Sequence, residues 1–327
     1  MTFSRFVIIL GLLGVATTVL ATPELVARLL SADRVLEPHT VHEVQAWRAL
    51  IGLVSAAILV AALLWAFGGR THWRRRIQAD YAGWQDPLRH LALPDRVWMR
   101  RASAAIWLCV ALALVTILLS FRHAGSDWFA LLALESGVVE TLQALCLLVA
   151  GVLLVRQGWR DLRSGWRPFS LVGLLFGVVL VVGAGEEISW GQHWLGFETP
   201  EELRAVNVQA EFNLHNIGSY WIDHFAALLF LVYIGLWPAL GLVYPQLRYI
   251  LDRLSMPLAP ISLLPVVVIG TAMDEHAVIA RLWHDPPWRL SEGRELLFSV
   301  SMLTITLLMR RYRARQSSSP QASRRSW

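Results

Sequence analysis

The sequence predicts an all-α fold, a polytopic transmembrane helical bundle of about eight spans with the N- and C-termini cytoplasmic. Three observations predict it. Residues of the hydrophobic set make up 56% of the 327 and charged residues only 16%, with a mean hydropathy of +0.50, whereas a soluble domain carries about a quarter charged residues. The apolar residues fall in runs of about 15 to 20, alternating with short charged stretches, which is the pattern of repeated bilayer crossings. All 29 basic residues are Arg, and they flank the apolar runs.

Composition also excludes chemistries. With no Lys, the chain can form neither a P-loop nor a Schiff-base site. Its formal charge of +5 is spread along the flanks of apolar runs instead of collecting on one soluble module, so no nucleic-acid partner is expected. Cys109 and Cys146 both sit inside apolar runs, which leaves no disulfide framework and no CxxC metal pair.

In chain order the predicted spans are 6–21, 49–67, 102–120, 138–155, 169–185, 224–243, 258–273 and 295–309. The shorter ones recruit flanking Trp, Tyr and Arg to reach across about 30 Å of hydrocarbon. Placing the N-terminus inside puts 21 Arg in the cytoplasm against 8 outside, and this asymmetry sets the orientation. Val19-Leu20-Ala21 also fits the end of a signal peptide, and cleavage there leaves the later topology unchanged. Residues 68–101 form a cytoplasmic Arg- and Trp-rich loop, 186–223 a long periplasmic polar loop, and 316–327 a Ser- and Arg-rich tail expected to be disordered. The fourth span opens with Glu135-Ser136-Gly137-Val138-Val139-Glu140 and the eighth with Ser291-Glu292-Gly293-Arg294-Glu295, a short echo four spans apart.

This orientation sorts the titratable groups. Of the 24 acids only Asp80, Asp86, Asp95, Asp161 and Asp252 fall inside, and of ten histidines only His72 and His90. Loops lacking Arg look acidic by subtraction, which accounts for part of the bias. Depth is the stronger signal. Glu140 lies about a turn inside the fourth span with Gln143 on the same face, and a carboxylate there costs about 2.5 to 3.5 kcal/mol unless it is paired.

The densest constellation runs from Gly183 to Gly196, where Glu186 and Glu187 end the fifth span and Ser189, Gln192 and His193 follow. A continuous helix would hold Glu186 and His193 about 10 Å apart along its axis, too far to share a metal unless Gly191 breaks it. A second cluster comprises Asn207, Gln209, Glu211, Asn213, His215 and Asn216, with Asp223 and His224 at the mouth of the sixth span. The candidate catalytic residues are Glu186, Glu187, His193 and His215. Glu135, Glu140, Gln143, Ser189, Gln192, Asn213, Asn216, Asp223, His224 and Glu295 form the supporting polar set. If a divalent metal is held, His215 and His224 are the candidate ligands.

The run Gly185-Glu186-Glu187-Ile188-Ser189-Trp190-Gly191-Gln192, followed by Phe197-Glu198-Thr199-Pro200 and Asn213-Leu214-His215-Asn216, resembles the signature of a family of bacterial multi-pass membrane proteins without assigned activity. The Glu135 to Glu140 segment resembles a second signature of that family. The resemblance covers about 80 residues and implies a bacterial inner-membrane fold but no reaction. Ser189-x-x-x-His193 also resembles the Ser and His pair of the seven-span alkaline ceramidase and progestin receptor superfamily of zinc-dependent hydrolases, although the final-span HxxxH of that pattern is missing. HExxH and GxSxG are absent as well.

Three functions fit the outward polar set. The first is a membrane-embedded enzyme acting on a lipid or lipid-linked substrate, with Glu186 or Glu187 as base and His193 or His215 as its partner. The second is an ion-coupled carrier using Glu140, Glu186, Glu187 and Glu295. The third is a scaffold whose outer loop binds a partner protein.

Overall fold

The computed structural model describes residues 3–20, 22, 25, 45, 48–49, 51–53, 55–56, 58–60, 72–84, 111, 137–163, 170–207, 209–214, 216–217, 230–260, 263–272 and 290–318. Among them the chain is all-helical, with one isolated antiparallel bridge between Asn207 and Ile217. It divides into two units, Met1–Trp84 with Gly218–Trp221, and Gln85–Ile217 with Ile222–Trp327.

In the first unit α1 (Phe3–Leu20) contains no charge beyond Arg5 and packs antiparallel against helical residues between 48 and 60. Gly11 faces Leu59, Gly14 faces Ser55 and Gly52 faces Thr18. A methyl group on Gly14 would fall 1.9 Å from Ser55 Oγ, so glycine is what lets the two backbones approach. Arg48 closes the pair by donating to the Thr18 carbonyl at 2.9 Å. In the predicted cytoplasmic loop, His72–Ala82 forms α2, and Trp84 stacks on Tyr81 at 6.1 Å. The third predicted span, 102–120, lies outside the described residues except for Ala111.

The second unit is organised around α3 (Val138–Arg163). It runs antiparallel to α4 (Leu171–Glu187), and the contact is glycine-lined: a methyl on Gly151 would sit 2.7 Å from the Gly177 carbonyl, and one on Gly158 2.8 Å from Leu174. It runs parallel to α10 (Leu290–Ser318). Gln143 Nε2 donates to the Glu292 carbonyl at 2.7 Å near one end, and Arg313 donates to Asp161 at 2.6 Å near the other. The two helices whose first turns echo each other in sequence therefore lie side by side and point the same way. Between α4 and α10 the chain forms α5 (Gln192–Leu195), α6 (Glu201–Arg204), a π-helical turn (Leu231–Leu236) leading into α7 (Trp237–Val243), then α8 (Pro245–Arg253) and α9 (Leu264–Ala272). Phe230, Ile234, Val266, Val267, Leu297 and Met302 fill the core that α9, α10 and the π-helical turn share.

Two polar belts mark the ends of this unit. Arg313 bridges Asp161 and Asp252 at one end, where Ser255 Oγ lies 2.5 Å from Asp161 Oδ2 and 2.9 Å from Ser170 Oγ. The carboxylate can only accept, so Ser255 donates to it and receives from Ser170. At the opposite end are Glu140, Gln143, Glu292, Glu295 and the close of α4 at Glu186 and Glu187. Eighteen residues of α3 separate Gln143 from Asp161, about 27 Å of helix. Between the belts Leu145, Leu148, Val152, Leu175, Val179 and Val182 are exposed on the outer faces, while Gln143, Ala144, Leu147 and Ala150 are buried.

Among the described residues one helix, Val138–Arg163, is long and apolar enough to cross a membrane; Leu171–Glu187 with Ser189–Leu195, bent by 60°, is a second if taken as one span. Several predicted limits shift. α3 runs eight residues past 155 because Gln157 and Asp161 pair across one turn at 2.8 Å and Arg313 docks there. α10 begins at 290 and reaches 318, so the first residues of the predicted disordered tail are helical, whereas 319–327 lie outside the described residues. Within 258–273 the helix starts only at Leu264, since Pro257 and Pro260 withhold backbone donors and Pro257 instead accepts from Tyr233.

Candidate functional site

The site grows from the end of α4. The helix does not continue to His193: Ser189, Trp190 and Gly191 adopt φ values of 45°, 53° and 79°, a left-handed turn that breaks the helix after Ile188. Left-handed backbone costs about 1–2 kcal/mol at each non-glycine residue, so side-chain contacts must hold it. Trp190 folds back so that its indole lies over Gly185, where any methyl group would strike the ring at 2.9 Å, and its Nε1 donates to Glu186 Oε1 at 2.8 Å. The other oxygen of Glu186 accepts the Leu214 backbone N–H at 2.5 Å, tying the following loop to the helix end. Glu186 thus anchors structure with both oxygens.

Beyond the turn, α5 carries Gln192 and His193. Gln192 Nε2 donates to Thr199 Oγ1 at 2.8 Å while its Oε1 accepts the Phe212 N–H at 2.7 Å, and the Thr199 hydroxyl donates to the Ala210 carbonyl at 2.8 Å. One amide thereby pins two separate stretches of the loop. Asn207 does the same further on. Its Nδ2 donates to the Asn213 carbonyl and Oδ1, and its Oδ1 accepts from the Gln209 and Glu211 backbone N–H groups, which supports the left-handed Ala210 at φ 57°.

These constraints converge on Glu211, which is 7% exposed. Its Oε2 accepts from Ser189 Oγ at 2.5 Å and from Asn213 Nδ2 at 2.9 Å, and Asn213 also donates to Ser189 Oγ. Its Oε1 lies 2.9 Å from His193 Nε2. A carboxylate with donors on both oxygens assigns the imidazole proton to Nε2 and leaves the lone pair on Nδ1. Ser189 and Asn213 are buried, whereas the His193 side chain is 37% exposed. The carboxylate stands between serine and histidine, so the imidazole does not activate Ser189 in the manner of a nucleophilic triad.

The remaining predicted residues fall into three groups. Glu187 is half-buried at the last turn of α4, and Asn216 donates to Gln209 Oε1 at the rim of the loop. Glu140, Gln143 and Glu295 belong to a separate cluster on α3 and α10 at the same end of the unit, where Glu295 meets Arg294 at 3.3 Å. Glu135, His215, Asp223 and His224 lie outside the described residues, so the proposed metal ligands His215 and His224 do too. Among the described residues no three His, Cys, Asp or Glu side chains are arranged to hold a metal ion. Sequence reasoning placed Glu211 in a polar stretch without a role; its alternation with Gln209 and Asn213 was the available sign.

No known protein family, no curated protein and no solved structure matches the chain.

Proposed function

We propose that this chain is a multi-span inner-membrane enzyme that performs acid–base chemistry on a lipid or lipid-linked substrate at the outer surface, with His193 Nδ1 as the base and Glu211 as the residue that positions it. The observation that carries this reading is the His193–Glu211 pairing. A buried carboxylate fixed by Ser189 and Asn213 holds an imidazole that is itself partly exposed, the relation a general base needs to a rigid support. The same segment exposes Trp190, Trp194, Leu195 and Leu214, and large apolar groups beside a polar base suit an amphiphile.

The membrane part of the proposal is supported by the two belts. About 27 Å of α3 between them matches the hydrocarbon core of a bilayer. Side chains such as Leu175 and Val179 on the outer faces each lose roughly 1.5–3 kcal/mol of burial if water surrounds them, and none of that if lipid does. Arg156, Arg160, Arg163, Arg310, Arg311 and Arg313 gather toward the end that holds Asp161 and Asp252, and Glu140, Glu186, Glu187, Glu292 and Glu295 toward the other, which supports a periplasmic position for the 189–217 segment. Eight spans with both termini inside, and membership of the resembled bacterial family, complete the proposal.

The test is a lipid profile of membranes containing wild-type protein or His193→Ala at equal abundance. One lipid class should build up in the variant. An unchanged profile would overturn the enzyme. A carrier is the second reading, favoured by the buried polar residues where α3 meets α10; it requires solute flux in proteoliposomes that survives loss of His193.

A further inference from the structure

The exposed side chains of α4 form a stripe that the left-handed turn prolongs. Leu171, Leu175, Val178, Val182 and Gly185 stand four, three, four and three residues apart, which keeps them on one helical face, and the four apolar side chains among them are all exposed. The Trp190 indole lies on Gly185 at the head of this stripe, with its six-membered ring against the glycine and its N–H turned in to Glu186 Oε1. What the ring leaves open is therefore apolar surface, and it carries the stripe past the end of the helix. Leu214 hangs from the same carboxylate through its backbone N–H, which keeps it near Trp190. Trp194 and Leu195 turn back toward Gly191, where a methyl group would meet Leu195 Cδ1 at 3.7 Å and Trp194 Cε3 at 3.9 Å. Four exposed apolar side chains thus gather around the turn, and Leu195, at 75% exposed, is the most open large apolar residue among the described residues.

The polar side chains of this segment face the other way. Ser189, Thr199, Asn207, Glu211 and Asn213 are buried, and both ends of the Gln192 amide are bonded within the loop. Polar groups inside and large apolar groups outside reverse the arrangement of a loop built for water. Hydrocarbon requires this arrangement, because hydrogen bonds there must be closed internally. Charge is segregated as well. From Ile188 to Phe197 the only ionisable side chain is His193, whereas Glu198, Glu201, Glu202 and Arg204 follow within seven residues and are all exposed. The 189–195 stretch turns 60° from the axis of α4, so where α4 crosses a bilayer this stretch runs closer to the surface plane than to the normal. A tryptophan-bearing apolar patch that continues a lipid-facing stripe and borders on charge fits the boundary between headgroups and acyl chains.

We propose that Trp190, Trp194, Leu195 and Leu214 form a lipid-contacting surface seated in the outer leaflet at that boundary, with the 198–204 stretch in the water above it. His193, in the same short helix as Trp194 and Leu195, then stands at headgroup level and meets an amphiphile from within the leaflet. This seat rests on the membrane-crossing part of the proposed function and not on the chemistry assigned to His193. The experiment labels Leu195→Cys, Glu201→Cys or Val179→Cys with nitrobenzoxadiazole, in the full chain with Cys109 and Cys146 changed to Ala, in phosphatidylcholine vesicles that contain nitroxide-labelled lipid. The probe at position 195 should be quenched about twofold or more strongly by a nitroxide at the headgroup end of the acyl chain than by one at its tip, and should escape cobalt ions in the water. The probe at 201 should respond to cobalt alone. The probe at 179, midway along α4, should be quenched most by the nitroxide at the chain tip. Lipid quenching at 179 with cobalt alone reaching 195 would overturn the seat and leave the spans standing. A probe at 195 reached by neither quencher would mean that protein covers the patch, and overturns the seat too. Absence of lipid quenching at 179 would overturn the membrane-crossing reading and the seat together. Should the chain lacking its cysteines not fold, a photoreactive phospholipid crosslinked to the wild-type chain decides: adducts should fall within 190–195 and at 214, and adducts confined to 198–204 refute the assignment.

Discussion

Replacing Glu211 by Gln separates positioning from packing at the candidate site. The substitution preserves shape and exchanges one acceptor oxygen for an NH2 group. Placed on the Oε2 side, that NH2 would meet the Asn213 amide donor, and Ser189 would lose its acceptor. Placed on the Oε1 side, it meets one ring nitrogen, which can change tautomer. The second orientation is favoured, and it forces the His193 proton onto Nδ1, removing the lone pair that would act on substrate. Two hydrogen bonds to a charged acceptor become bonds to a neutral one and the histidine bond reverses, a loss of about 1–3 kcal/mol in stability. Turnover should fall by about 10³-fold or more, as expected for a base held in the wrong tautomer. The assay pairs thermal unfolding in detergent with the lipid profile of membranes carrying Glu211→Gln at wild-type abundance. A folded variant with a wild-type lipid profile would refute the reasoning.

Other substitutions test the supports of the fold. Glu186→Gln should release either Trp190 or the Leu214 backbone, seen as a red-shifted tryptophan emission and faster proteolysis within 207–217; unchanged emission and cleavage contradict the anchoring role. Gly151→Leu should destabilise by about 1–3 kcal/mol or more, because the new side chain meets the Gly177 backbone, and a thermal midpoint equal to wild type would refute the close approach. Asp161→Asn should cost about 1–3 kcal/mol by weakening bonds to Ser255 and Arg313, while Arg313→Lys should restore less than full stability because ammonium cannot reach both Asp161 and Asp252 in one fork.

Helices were legible where apolar runs were long and capped by charge. The run after Val138 and the run after Phe169 became α3 and α4 to within a few residues at their starts, because long unbroken apolar runs bounded by charge point to helices. The place of Glu140 and Gln143 in the first two turns of α3 was legible too, since position along a helix follows from counting. The break at Ser189 was not: serine and tryptophan are poor left-handed residues, and only Gly191 signalled a turn. Contacts such as Glu211 with Ser189, 22 residues away, depend on how the loop folds back, which no local pattern encodes. The eighth run was read too short because Arg310, Arg311 and Arg313 look like a membrane exit, whereas helical hydrogen bonding continues through them and Arg313 buries against two acids.

The sidedness of the polar segment decides most directly. Single cysteines would replace Gln209 in the loop and Arg160 at the far belt, in a chain whose Cys109 and Cys146 have been changed to Ala, and a membrane-impermeant maleimide would be applied to intact cells. Labelling of the Gln209 position without permeabilisation, with the Arg160 position labelled only after it, is the predicted result. The reverse pattern, or equal labelling of both positions in intact cells, would contradict an outward-facing site carried on membrane-crossing helices.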